Sequence, residues 1–413
     1  MNKIRLSLLK IGQLNPAGIF ALALIGVFCL LGIVLVVGVT DFQQFVERAD
    51  ALLHGQFYYR ILPPSLFDTI AVGGRYYWPN GPIPAVLLVP LVALLGLVPL
   101  QSYLQPLLTV AVLYLTYRLA KAGKFSSDDS LWLAFAYCFA SIYLGIAFLP
   151  YSGQFAHSIS AVLTLGILLE FMTRRRPWLM GLLTALTLGT RVTAALVTLP
   201  ILIEEVLDAS RSWRDRVGRL VRFSIPVFVA ILLLMFYNTA RFGNALDSGY
   251  SQAFIRPVMN ESARSQYGLF NPTLIPSNLY YALLSAPRPI VDSKTGHLVP
   301  PYLAANFTMG FFLLSPIFLL MFRASLKQRF IKLVMGSSIL MTLVLLSYYA
   351  ITYFEFGPRY LVDVLPLYYL LLLDGIVDRK LWVRDRIIIA ISAFVNLYLF
   401  MSLIKIVWQL SPM

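Results

Sequence analysis

Of the 413 residues, 59% are hydrophobic and only 13% are charged, and the mean hydropathy is +0.77. Such a chain has more apolar surface than one soluble core can hide, and its apolar runs reach the roughly 20 residues that span a bilayer. The net charge of +14 sits in short basic segments between those runs. That is the pattern of cytoplasmic loops, and it argues against nucleic acid as a partner.

The first apolar run, Pro16–Val39, carries a basic flank of Lys3, Arg5 and Lys10. It is too long for the apolar stretch of a signal peptide and lacks a cleavage site, so it reads as a retained first helix with the amino terminus inside. Asp41 follows at the outer surface, as the cap of a helix, as a working carboxylate that orients or deprotonates an acceptor hydroxyl, or as both. The stretch Asp41–Leu53 reads as a short amphipathic helix. Phe42, Phe45, Ala49, Leu52 and Leu53 share one face, and Glu47, Arg48 and Asp50 fall largely elsewhere. Next comes Phe67-Asp68-Thr69-Ile70-Ala71-Val72-Gly73-Gly74-Arg75-Tyr76-Tyr77-Trp78-Pro79-Asn80-Gly81-Pro82. Gly73-Gly74 predicts a tight turn between extended pieces. Tyr76, Tyr77 and Trp78 suit both an interfacial aromatic belt and a surface that stacks on sugar rings.

The basic segments Lys3–Lys10, Arg118–Lys124, Arg174–Arg176, Arg211–Arg222, Arg323–Lys332 and Arg379–Arg386 mark the cytoplasmic side. Parity then leaves one net crossing between Val39 and Arg118. Ile83–Val98, broken by Pro84 and Pro90, reads as a re-entrant or interfacial segment, and Ser102–Leu119 as the crossing. Leu131–Leu149 and Phe155–Met172 are spans joined by a turn containing Ser152, Gln154 and His157. Trp178–Val206 has arginines at both ends, so it predicts two half-helices turning at Gly189-Thr190-Arg191, with Arg191 in the outer half of the membrane. The remaining spans are Phe223–Ala240, Leu303–Phe322, Leu333–Tyr353, Tyr360–Ile376 and Ile387–Val407, and the carboxyl terminus ends outside. The expected architecture is an all-α polytopic membrane protein of about eleven membrane segments, two of them half-length. Thr40–Pro82 and Phe242–Pro301 are long external loops. Cys29 and Cys138 lie inside apolar runs and suggest neither a disulfide nor a metal site.

Near the end stands Phe356-Gly357-Pro358-Arg359-Tyr360-Leu361-Val362-Asp363-Val364-Leu365-Pro366. An arginine held between prolines at a membrane edge is a functional candidate, its natural partner an anion such as a lipid phosphate; the plainer reading is a snorkelling anchor.

These pieces together resemble the GT-C superfamily of membrane glycosyltransferases, which use polyprenyl- or dolichyl-phosphate sugars. The resemblance rests on their order: Asp41 after helix one, then Gly74-Arg75-Tyr76-Tyr77 leading to Gly81-Pro82, then Pro150-Tyr151-Ser152 with His157. Gly181-Leu182-Leu183 through Gly189-Thr190-Arg191 follows. Asn238 with Gly243-Asn244, Asn278-Leu279-Tyr280-Tyr281 with Pro287-Arg288, and Gly357-Pro358-Arg359-Tyr360 complete it. The resemblance implies a GT-C-like bundle: a membrane module over residues 1–241 with its first external loop at 40–82, an external loop at 242–302, and carboxyl-terminal helices over 303–413. It implies sugar transfer at the external face of the cell membrane, from a polyprenyl-phosphate-linked sugar to a lipid, glycan or protein acceptor in glycan biosynthesis of the cell envelope. Asp41 then takes the catalytic acidic role, and Arg191 and Arg359 converge on the donor phosphate. Asp68, Tyr76, Tyr77, Gln154, His157 and Tyr360 are candidate substrate contacts. Many members carry a second acid in the second external loop, where this chain offers Ser152, Gln154 and His157, so no metal or other cofactor is expected. Two rival readings remain at the level of sequence. One is a transporter or flippase of lipid-linked sugars, for which broken helices are equally natural, and the other a non-catalytic scaffold.

Overall fold

The structure, a computed structural model, describes residues 14–410 except 65, 67, 251, 253–260, 305–307 and 351–354. The basic flank of the first helix, part of the Phe242–Pro301 loop and the end of the expected Leu333–Tyr353 span lie outside the described residues. The chain is mostly helical, at 69%. In order it forms α1 (Pro16–Val37), α2 (Gln44–Leu53), β1 (Ile70–Val72), β2 (Arg75–Tyr77), α3 (Ile83–Leu95), α4 (Leu100–Ala122), α5 (Ser127–Phe139), α6 (Tyr143–Ala147), α7 (Ser152–Thr173) and α8 (Pro177–Leu188). Then come α9 (Leu199–Leu207), α10 (Trp213–Phe242), α11 (Glu261–Tyr267), α12 (Ile275–Leu279), β3 (Arg288–Val291), β4 (Leu298–Ala304), α13 (Phe311–Leu314), α14 (Arg329–Leu346), α15 (Leu365–Gly375) and α16 (Val383–Leu410).

Among the described residues, α1, α7, α10, α14 and the Val383–Ile404 part of α16 are long and apolar enough to cross a membrane. α4 has the length of a crossing, 23 residues, but lacks a stretch as apolar as those of these five. α3, α8 and α15 are apolar and shorter. α10 leaves Ile225, Phe228, Val229, Leu232, Leu233 and Phe236 exposed, an apolar face suited to lipid.

The chain divides into two compact units. One comprises residues 29–115 and 147–261. Its core joins Phe45, Val46 and Ala49 of α2 to Ala85, Leu88 and Val92 of α3 and to Phe155 and Ile159 of α7. In this unit β1 and β2 pair antiparallel, Ile70 with Tyr77. Gly73 and Gly74 both hold positive φ, the backbone that a two-residue hairpin turn requires. α8 lies against α10 at Gly181, where a β-carbon would stand 2.1 Å from the Phe223 carbonyl oxygen. The predicted break in Trp178–Val206 is present: α8 stops at Leu188, a 3-10 turn covers Thr193–Thr198, and α9 follows.

The other unit comprises residues up to 28, 116–146 and 262–410. Phe28 packs on Phe135, Phe139 and Phe394, and Asn396 donates to the carbonyls of Phe139 (3.3 Å) and Leu314 (2.8 Å). Three expected spans differ here. Leu131–Leu149 is not one helix, because the Ser141 hydroxyl bonds back to the Tyr137 carbonyl and accepts the Tyr143 N–H, so α5 ends and α6 begins. Leu303–Phe322 is the end of β4, then α13 and a 3-10 stretch over Pro316–Arg323, divided at Ser315-Pro316. Tyr360–Ile376 starts with a 3-10 turn, Arg359–Asp363, before α15. β3 and β4 form an antiparallel hairpin in the Phe242–Pro301 region.

Candidate active site

Asp41 is exposed, and it does not cap α2. That helix starts at Gln44, its cap position is Gln43, and no side chain caps it. With the capping role gone, the local backbone needs another account. Phe42, directly after Asp41, holds φ +57, a conformation that bulky residues adopt only under constraint. The constraint is visible. The Phe42 carbonyl accepts from Gln101 Nε2 (3.1 Å) and from the Ser152 hydroxyl (2.7 Å), and the Phe42 ring meets Tyr151 at 4.7 Å between centroids. Gln101 also bonds the Pro150 carbonyl (3.0 Å) and the Phe45 N–H (2.9 Å), and Gln43 Nε2 donates to Ser102 (3.1 Å). These buried amides and hydroxyls lock a strained backbone, and locked strain is found at functional sites. Asp41 is near enough to Tyr151 that its charge, after burial, helps to raise the Tyr151 hydroxyl pKa.

α2 is not the half-exposed helix that its pattern predicts. Gln44 through Ala51 are all buried, the polar face included. Asp50 is gripped by Arg60 through two bonds of 2.9 and 3.0 Å. Arg48 donates to the carbonyls of Asn80 (2.6 Å) and Gly81 (3.1 Å) and to the Tyr237 hydroxyl. Arg241, at the end of α10, lies over the Tyr237 ring and donates to Asn238 Oδ1 (2.9 Å) and the Trp78 carbonyl (3.2 Å). Sequence reasoning missed this assembly. The signal that was available is an arginine retained at the last turn of an apolar helix.

Glu47 Oε2 is buried and has no hydrogen-bond partner among the described residues. Burial pushes the Glu47 carboxyl from its ordinary 4.5 to about 7; its own backbone N–H pulls it down, and Asp50 adds a smaller push upward. The folded chain therefore keeps a proton that the unfolded chain has lost between pH 4.5 and about 7. Stability falls as pH rises through that window, by on the order of 3 kcal/mol. Glu47→Gln removes this slope. The wild-type Tm should fall from pH 4.5 to 7 while that of Glu47→Gln changes less; equal slopes would contradict a buried neutral carboxyl.

The half-buried Arg191 stands in the helix break. α8 ends with Thr190 Oγ1 donating to the Leu186 carbonyl (2.8 Å) and the Arg191 N–H to that of Thr187 (2.7 Å). The Gly189 carbonyl, one of the orphan acceptors of a helix end, takes the Ile83 N–H at the start of α3 (3.1 Å). Gln154 and His157 are buried in the first turns of α7, the helix whose Ser152 holds Phe42. Tyr77 is buried, Tyr76 and Asp68 are half-buried, and Asp68 also holds positive φ.

Arg359 and Tyr360 belong to the other unit. Phe356, Gly357 and Pro358 are buried, and a β-carbon on Gly357 would stand 2.8 Å from the Leu314 side chain. Arg359 is half-buried, pairs with Glu355 at 2.8 Å and donates to the Tyr360 hydroxyl at 3.1 Å. The Tyr360 ring meets Tyr348 at 5.0 Å. Glu355 was not among the residues singled out from the sequence. Among the described residues, no three His, Cys, Asp or Glu side chains gather into a metal-binding group.

The family model for glycosyltransferase family 87 matches residues 78–347. The chain belongs to glycosyltransferase family 87. This is a GT-C-type family of membrane glycosyltransferases, which is the resemblance drawn from the ordered motifs. As a family 87 member the chain is a glycosyltransferase and acts on a sugar donor and an acceptor. The matched region contains Gln154, His157 and Arg191. Asp41, Asp68, Tyr76 and Tyr77 precede it, and Arg359 and Tyr360 follow it. No curated protein and no solved structure matches the chain.

Proposed function

We propose that this family 87 member transfers a sugar from a polyprenyl-phosphate donor to an acceptor at the external membrane face, with inversion at the anomeric carbon. The observation that carries the reading is Asp41: an exposed carboxylate with no capping role, beside a strained backbone that buried Gln101 and Ser152 hold in place. Asp41 takes the proton of the acceptor hydroxyl as that oxygen attacks the anomeric carbon. The bond to the donor phosphate breaks on the opposite face, and the phosphate leaves with the negative charge. Arg191 is proposed as a ligand of that phosphate, and Arg359 as a second, because fixed guanidinium groups favour a charge that grows in the transition state. Asp68, Tyr76, Tyr77, Gln154, His157 and Tyr360 are proposed substrate contacts, with lipid, glycan and protein all open as acceptor classes.

The test compares surface glycans of cells with and without active protein by mass spectrometry, followed by NMR of the missing linkage. A missing sugar whose anomeric configuration is opposite to that of its lipid donor is the expected result. Retention of the donor configuration would exclude the single displacement, and identical glycans would exclude the reading.

A further inference from the structure

Arg48 is only 4% exposed, an unusual place for a guanidinium, and among the described residues it hydrogen-bonds to no carboxylate. Instead it closes on the carbonyls of Asn80 and Gly81 and on the Tyr237 hydroxyl. Those two carbonyls belong to the stretch that runs from β2 into α3. That stretch is pressed against the helix break. A β-carbon on Gly81 would stand 2.2 Å from the Gly189 carbonyl oxygen and 2.7 Å from that of Thr190. A β-carbon on Gly189 would in turn stand 2.6 Å from the Ile83 side chain. The Ile83 N–H to Gly189 carbonyl bond ties the same two segments. Tyr250 reaches the Asn80 side chain at 3.2 Å.

The contacts form a closed loop. Arg48 holds Asn80-Gly81; Gly81 abuts Gly189-Thr190; α8 rests on α10 at Gly181; and Tyr237 of α10 returns to Arg48. Arg191 is the next residue along the break. The backbone carbonyls in this loop have fixed directions, and a planar guanidinium with several donors matches them where a single ammonium cannot.

We infer that Arg48 is a positioning residue: through Asn80 and Gly81 it fixes the helix break that carries Arg191. The claim deepens the proposed function, since the phosphate role of Arg191 rests on that reading, but the position of the break can be measured without any ligand. Removing the guanidinium leaves two half-buried carbonyls and the buried Tyr237 hydroxyl without this donor, and the Asn80-Gly81 stretch then loses its grip on the break. Enlarging Gly81 pushes the Gly189 carbonyl directly.

The experiment uses the full chain in lipid nanodiscs, with Cys29 and Cys138 replaced by Ser. Spin labels are placed at the exposed positions His54 and Val192, one after α2 and one in the break. Their distance distribution is read by pulsed electron resonance. The wild-type background should give one narrow distribution; Arg48→Met and Gly81→Ala should broaden or shift it, and Arg48→Lys should lie between. Distributions unchanged in both Arg48→Met and Gly81→Ala would overturn the proposal. Arg48→Lys and Gly81→Ala serve where Arg48→Met fails to insert. A second arm titrates farnesyl phosphate, with farnesol as the uncharged probe. Arg48→Met should weaken the phosphate by on the order of tenfold and leave farnesol unchanged. It should add no further loss in an Arg191→Ala background. Independent, additive losses would show that Arg48 does not act through Arg191 and would overturn the proposal. If Arg191→Ala alone binds farnesyl phosphate normally, the phosphate reading of Arg191 falls, and the label distances still decide whether Arg48 sets the break.

Discussion

Asp41→Asn should abolish sugar transfer, by on the order of 10²–10⁴-fold, while the protein still inserts, folds and binds its lipid-phosphate donor. Asparagine keeps the shape of the side chain and removes its ability to accept a proton. The fold should not register the change, because Asp41 is exposed and caps nothing. Gln101 and Ser152 hold the neighbouring backbone through the Phe42 carbonyl, not through the Asp41 side chain. Turnover at a fixed donor concentration, with Tm alongside, checks this. Near-normal turnover in Asp41→Asn would remove Asp41 from the chemistry.

Arg359→Ala should lose most of the transfer activity, and by an amount that does not depend on the acceptor offered. A phosphate ligand acts on the donor, so a change of acceptor leaves its contribution in place. Arg359→Lys should weaken donor binding and keep some activity, since lysine supplies charge without the two parallel bonds of a guanidinium. The ion pair with Glu355 adds a sharper expectation. The carboxylate competes with any phosphate for the guanidinium, so Glu355→Gln should tighten the binding of farnesyl phosphate. Normal donor binding in Arg359→Ala would return the arginine to the role of a membrane anchor.

Punctuation made parts of this molecule readable from its sequence. Gly73-Gly74 marked the β1–β2 turn, and both glycines hold positive φ. Arginines at both ends of Trp178–Val206, with Gly189 between them, marked the break that the structure contains. Apolar composition, by contrast, does not distinguish a spanning helix from short buried pieces. Leu303–Phe322 is apolar enough to span, yet Ser315-Pro316 divides it. The burial of α2 was unreadable for another reason. Glu47, Arg48 and Asp50 look like a solvated face until their surroundings are known, and Arg48 finds Tyr237 189 residues away. Nothing in a sequence announces that a phenylalanine will hold φ +57 either; Gln101 and Ser152 impose that on Phe42 from afar. The family match likewise covers Arg191 but stops short of Asp41 and Arg359, so the roles proposed for these two rest on local geometry and chemistry.

The most direct measurement follows the donor. Purified protein in nanodiscs is given a panel of polyprenyl-phosphate sugars with candidate acceptors, and release of polyprenyl monophosphate is followed by mass spectrometry. The predicted result is release from at least one donor, matched one-for-one by glycosylated acceptor and absent in Asp41→Asn. Release that continues at the same rate in Asp41→Asn would contradict the account, as would an acceptor glycosylated while the polyprenyl-phosphate donor stays intact.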